Sequence, residues 1–291
     1  MPSKLFGLIV CTLAAGGCAL TDQSRHTKTS DVPPCFAAPE IVIPTARASY
    51  IATGTYEVPD DIRGILLTKQ SAKYVSLPWI AEAILKGPVQ EVSSFQVWSQ
   101  DNSLSRLLGK SDEAVVVFLV SVPRKSVTYH LLNSPAAVQA VDELLLANVH
   151  HEIERQALIV SRWQPDRDLP FYTDVEKLIS KLSVVDGAKQ QRVFDELIEL
   201  GTPAIPAIID QMDNRAQLRT SYVRLSNQHS DSFEAYRQYS PELVVDAIAA
   251  ILNHQTGEYF GSIYNGDEDD QRDATVAGWR VYAHDLKCSK A

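Results

Sequence analysis

The chain has 291 residues, 45% of them apolar and 22% charged, and carries a net charge of −9. That length holds one or two domains of ordinary globular make-up. The acidic balance argues against nucleic acid as a partner, because phosphate binding needs a basic surface, and against broad electrostatic docking onto anionic lipid.

At the N-terminus, Lys4 is followed by an apolar stretch from Leu5 to Ala15, too short to span a bilayer comfortably. Ala15, Gly16 and Gly17 then precede Cys18. Small residues before a cysteine resemble the lipobox of bacterial lipoproteins. The resemblance implies a signal peptide over residues 1–17, lipidation of Cys18, and attachment to the membrane through that lipid. Ala19, in place of Asp, implies the outer membrane, facing the periplasm. An ordinary secretory signal and an uncleaved anchor are the two other readings of the same stretch. Residues 18–35 then form the lipidated cysteine and a flexible polar tether. Cys11 leaves with the signal and Cys18 takes the lipid, so Cys35 and Cys288 remain. In an oxidising compartment they are a candidate disulfide; the alternative is two unpaired thiols on flexible ends.

Residues 36–163 read as a β-rich module ending in a helix. Glu40 to Pro44, Tyr50 to Val58, Ile65 to Leu67 and Tyr74 to Leu77 are short extended runs. Val92 to Trp98 alternates apolar and polar residues, the pattern of a half-buried strand. AVVVFLVSV, Ala114 to Val122, is apolar almost throughout and reads as a central strand. Pro123 to Ser126 suits a hairpin turn into Val127 to Leu131. Several short strands with turn signals predict a small barrel or sandwich. The order of an apolar strand ending in Leu85-Lys86-Gly87, a strand like SSFQVW, a gap ending at Gly109 and AVVVFLV resembles OB-type or netrin-like β-modules. That resemblance implies inhibition or binding. Ser134 to Glu154 reads as a helix, with Ser134 as N-cap, Pro135 in the first turn, and Val138, Val141, Leu145 and Val149 on one face. Ala157 to Trp163 is either its continuation or a last strand.

Gln164 to Pro170, with two prolines and three charges, marks the boundary, and residues 171–286 read as helical. Val175, Leu178, Ile179 and Leu182 give a short amphipathic helix. From Arg192 to Asp213 two apolar stripes flank a corner in which Gly201 ends one helix and Thr202-Pro203 opens the next. Leu197, Leu200, Gly201, Pro203, Ala204, Pro206, Ile208 and Asp213, as LxxLGxPAxPxIxxxxD, resemble a HEAT-type repeat. The resemblance implies a scaffold of stacked helix pairs, and a single repeat must pack on neighbours to bury its core. Asn214 to Tyr239 is polar and of unclear course. Ser240-Pro241 opens a strong helix that Gly257 stops, and a last helix runs to about Asp285. The predicted class is therefore α+β: a β-rich barrel or sandwich followed by an all-α, HEAT-like module.

Little of this carries chemistry. His150, His151 and Glu154 share a helix face at metal-ligand spacing, but no third ligand is predicted nearby, and a solvated surface is the better reading. Asp267 to Asp270 lacks the offsets of an EF-hand and suits a helix N-terminus. Nucleophile elbows, P-loops and dinucleotide fingerprints are absent. No cofactor or metal is expected. Tyr259, Phe260, Ile263, Tyr264, Trp279 and Tyr282, with Arg272 and Arg280, concentrate aromatic and cationic groups. They read as a hydrophobic plug over the helical layer or as a contact surface for a peptide, glycan or partner protein. The leading expectation is a non-enzymatic envelope lipoprotein, a scaffold or interaction module with a protein partner. An envelope hydrolase with unrecognised acidic residues, or an inhibitor of secreted enzymes using the β-module, are the alternatives.

Overall fold

A computed structural model describes residues 35, 39–68, 72–89, 92–100, 104–110, 113–122, 128–226 and 236–288. The signal segment, Cys18, the rest of the tether and the Pro123–Ser126 turn lie outside the described residues. The architecture is α+β, a closed β-barrel followed by packed helices.

The chain enters through α1 (Pro39–Arg47), where an extended run is predicted. Ile41 and Val42 are strand-like by composition, but α1 packs against two later helices, and that tertiary burial outweighs local propensity. The same correction applies to Ile65 to Leu67, which belong to α2 (Asp60–Thr68).

Between these helices runs β1 (Tyr50–Tyr56), buried along almost its whole length. It pairs on one side with β2 (Tyr74–Lys86), which pairs with β3 (Ser94–Trp98). In β2, Val75, Leu77 and Trp79 point inward while Tyr74, Ser76 and Ile80 face out. A short helix, α3 (Leu104–Gly109), leads to β4 (Val115–Val122). β4 returns to the free side of β1 and also pairs with β5 (Thr128–Leu131). β5 touches β3 in parallel at Gln96 and His130, so the order β1-β2-β3-β5-β4-β1 closes a five-stranded barrel. Closure leaves no open edge along the ring.

Val115 to Leu119 are fully buried, in keeping with the unbroken apolar run. The half of that edge that β5 leaves unpaired is taken by β6 (Val138–Ala140), with Val138 opposite Val117. This ladder overrides the predicted helical start at Ser134, whose hydroxyl instead accepts the Ala136 amide in a turn. Helix α4 (Glu143–Ser161) begins later, where the Asp142 carboxylate accepts the Leu145 amide at 2.7 Å.

Helices α5 (Tyr172–Lys181) and α6 (Gly187–Glu199) follow. At the corner after α6, Gly201 has φ 70° and ψ −167°. The φ is positive and ψ is extended, so Gly201 ends the helix outside the left-handed helical region that usually serves there, in a region open essentially to glycine alone. Thr202 makes no side-chain cap; a 3-10 turn (Thr202–Ala204) leads into α7 (Ile205–Ile209). Leu197 and Ile208 are fully buried, and Leu200 only partly. The polar stretch beyond contains a hairpin, β7 (Val223–Ser226) with β8 (Tyr236–Tyr239).

Helix α8 (Val244–Thr256) is buried without interruption from Val244 to Leu252, so neighbours surround it. It starts three residues past Pro241, because the Asp246 carboxylate accepts the Glu242 and Leu243 amides at 3.1 and 2.9 Å. Gly257 stops it with φ 72°. A loop with a 3-10 turn (Ile263–Asn265) then leads to α9 (Asp269–Cys288).

The described residues form one compact unit. Its buried apolar side chains make three clusters. One runs from Ile41 to Val149, in and around the barrel, and a second from Tyr172 to Ala283 among the helices. The third is Val42, Ile159 and Val281, one residue each from α1, α4 and α9, where these helices meet.

Candidate functional site

Beside that three-helix seam a cleft of about 560 Å³ opens between the barrel and the helices. The volume is in the range of small-molecule sites. Its walls come from five places: the end of α1 (Ala46, Ala48), the ends of β2 and β4 (Gly87, Val120, Val122), α4 (Ile153, Ala157, Val160), the loop at Tyr259 to Ser262, and α9 (Ala277, Gly278, Val281). Most of the lining is apolar. Gly278 lets α9 pass close to the loop, since a Cβ there would lie 2.5 Å from Phe260.

Two cations border the cleft, and their surroundings differ. Arg47, in the last turn of α1, donates from Nε to the Tyr259 carbonyl at 2.8 Å and pairs with the Glu258 carboxylate. Its guanidinium lies 4.3 Å from the Tyr259 ring centroid. Arg47 therefore fastens the 258–262 loop to α1. Lys86, the last residue of β2, donates to the Thr45 carbonyl at 2.6 Å, satisfying an orphan acceptor of the final turn of α1. Among the described residues no carboxylate lies within ion-pair distance of it. Burial pulls its pKa down to about 8, opposed by the more distant Glu152.

Behind the cleft wall, Arg155 of α4 donates twice to Glu152, at 2.8 Å each, and to Asp285 of α9 at 2.8 and 3.1 Å. Gln156 donates to Glu152 at 2.7 Å and to the Val42 carbonyl at 3.0 Å. One buried network thus ties α4 to α9 and α1. Burial pulls the Arg155 pKa down, but Glu152 and Asp285 outweigh it and leave it raised. Burial pushes Asp285 up, but His284 and Arg155 hold it below the usual carboxylate value.

The disulfide sits at the same end: Cys35 and Cys288 are bonded, with Cα atoms 5.7 Å apart. Among the described residues, His284, Asp285 and Cys288 form the one group with metal-ligand proximity, their ligand atoms within 4.8 Å of one another. Cys288 is committed to the disulfide and Asp285 to Arg155, so the set is not available as it stands. His150, His151 and Glu154 are exposed on α4, and none belongs to such a group.

Of the aromatic and cationic cluster, the six residues that would form the contact surface, Tyr259, Phe260, Tyr264, Arg272, Trp279 and Arg280, separate. Tyr259 and Phe260 line the cleft. Trp279, 1% exposed, packs edge-on against Phe260 at 4.9 Å and Tyr282 at 5.5 Å, in the core. Arg272 is buried and donates to Asp246 at 2.8 Å, joining α9 to α8. Tyr264 packs on Tyr239 at 5.3 Å, and burial raises its pKa. Arg280 pairs with Asp213 at 2.6 Å, its guanidinium 5.6 Å from the Trp163 ring centroid. Trp279 and Arg272 thus face inward, where a contact surface would need them exposed.

Sequence reasoning missed Lys86, Arg47 and the Glu152 network. One signal was present: Val149, Glu152, Gln156 and Ile159 follow helical spacing, so polar residues occupy the buried stripe of α4. No described helix is long and apolar enough to cross a membrane. No protein-family model matches the chain, and neither a curated protein nor a solved structure is significantly similar to it.

Proposed function

We propose that this chain is a lipid-anchored envelope protein that works as a non-enzymatic binding module, with the barrel–helix cleft as its working surface. The observation that carries this reading is the cleft itself: about 560 Å³, largely apolar, framed by two fold layers. Its polar neighbours Arg47 and Gln156 are engaged in holding the walls together, which suits a site that binds. The barrel's strand order, with α3 between β3 and β4, supports reading it as an OB-type or netrin-like module. Anchoring through Cys18 places the cleft at the envelope, held off the membrane by the polar tether.

The test is site-specific photocrosslinking in the native envelope. A crosslinker at Ala274, which lines the cleft, should yield discrete adducts, and one at Val184, exposed and outside the cleft lining, should not. Equal labelling from both positions, or none from Ala274, would remove the cleft as the working surface. Cys18→Ser should release the protein from the membrane fraction or leave an uncleaved precursor.

A further inference from the structure

The cleft combines an apolar interior with one cation that has no anionic partner. Arg47 is neutralised by Glu258, and Arg155 by Glu152 and Asp285. Lys86 differs: its Nζ has three donors, and the Thr45 carbonyl is its hydrogen-bond acceptor. Lys86 is half-buried; an ammonium partly removed from water with donors unfilled is a costly arrangement, and an incoming carboxylate would fill them with charge-assisted bonds.

Ser49, Ser121, Ser262, Gln271 and the acidic Asp267 also border the cleft, but most of the remaining lining is apolar, and it restricts what that carboxylate can be attached to. Ala48, Val120, Val122, Ile153, Ala157 and Val160 offer dispersion contacts and no hydrogen bonds from their side chains. A ligand with many polar groups would lose its hydration there without compensation. One with a single anionic head and an aliphatic body fits both parts of the site.

Resting on the reading of the cleft as the working surface, we infer that it binds a long-chain aliphatic carboxylate, a fatty-acid-type amphiphile, with its head on Lys86 and its chain between β4, α4 and α9.

The test uses the full chain carrying Cys18→Ser, so that no attached acyl group competes. Binding of hexadecanoic acid, hexadecanol and hexadecylamine is measured by titration calorimetry below the critical micelle concentrations. The acid should bind at least about tenfold more tightly than the alcohol, and the amine least. Lys86→Met should remove the preference for the acid while the alcohol still binds, and Lys86→Arg should retain it. Ala157→Phe should fill the cleft and abolish binding of all three. Circular dichroism melts identify which variants are folded, and Lys86→Arg keeps the test decisive if Lys86→Met unfolds. Equal binding of acid and alcohol, or an acid preference that survives Lys86→Met, would overturn the assignment. So would displacement of the acid by an apolar peptide with a free C-terminal carboxylate but not by a shorter fatty acid. If crosslinking from Ala274 succeeds while fatty acid fails to bind, the cleft stands and the ligand class falls.

Discussion

Arg155, buried, and Lys86, half-buried, are both cations within the influence of Glu152, yet the fold treats them differently. Arg155 meets two carboxylates through four hydrogen bonds and links α4 to α9. Lys86 meets one carbonyl, and only the through-space attraction of Glu152 offsets its burial. A guanidinium is planar and weakly hydrated, so it suits a closed, bidentate node; an ammonium is compact and titrates more readily when buried. The first residue closes the seam behind the cleft, and the second stays available to what enters it.

The largest break in this comparison is Arg155→Met. It leaves Glu152 wholly buried without its cation, and such a loss costs about 3–5 kcal/mol. Thermal unfolding should show a large drop in Tm, and an unchanged Tm would mean that the network is not what joins the layers. Next is the covalent tie at the same end of α9. Cys35→Ser should cost about 2–4 kcal/mol, read by urea unfolding under non-reducing conditions. The wild type treated with reductant should match it.

Lys86 gives a signature of opposite character. Its folded pKa of about 8 lies below the ordinary lysine value, 10.5. The folded state therefore releases its proton first. Its destabilising contribution is fully present below pH 8 and is relieved as pH rises from 8 to 10.5. Allowing for partial solvent screening, the relief is about 2–3 kcal/mol. Burial raises the pKa values of Tyr50, Tyr129 and Tyr282, which makes stability fall at the alkaline end. The quantity to measure is thus the difference between wild type and Lys86→Met across this window. It should narrow as pH rises, and a constant difference would contradict the buried ammonium.

The smallest effect lies away from the seam, as a control. Gly201→Val forces a β-branched residue into its φ and ψ, at about 1–3 kcal/mol. The space itself is open, because a Cβ there meets only Pro203 at 3.8 Å, so the cost is backbone strain. Denaturant melts should show this loss, with fatty-acid affinity unchanged in the folded fraction.

These contrasts also explain what could be read in advance. Val115 to Leu119 are apolar throughout because the strand is enclosed, and they were legible as an unbroken run, whereas Val244 to Leu252 were legible as a helix but not as one buried on every side, since Asp246 interrupts the run. Ile41 and Val42 misled because three consecutive apolar residues before a proline look the same in a strand and in a helix packed on two sides. The pairing of β7 with β8 was hidden because each strand is four residues long: β7 alternates buried and exposed residues only twice, and β8 is mostly exposed. The cleft left the faintest trace. Its lining is drawn from segments as far apart as Ala46 and Val281, and Ala157, Ala277 and Gly278 shape it by the atoms they lack. Missing volume has no periodicity, so it becomes visible only when the elements are placed.

The Cys35–Cys288 bond turns every described residue into part of one covalent ring. Under the anchoring through Cys18 proposed above, the protein is one that can be pulled from its N-terminal side. Tension arriving along the tether enters the ring at a single knot, where the load is shared between the strand toward α1 and the end of α9. The barrel ladders and the helix seam are then not in series with the force. Peeling the fold open residue by residue from its tethered end is blocked at the first step, and the cleft keeps its shape under load for as long as the bond is oxidised.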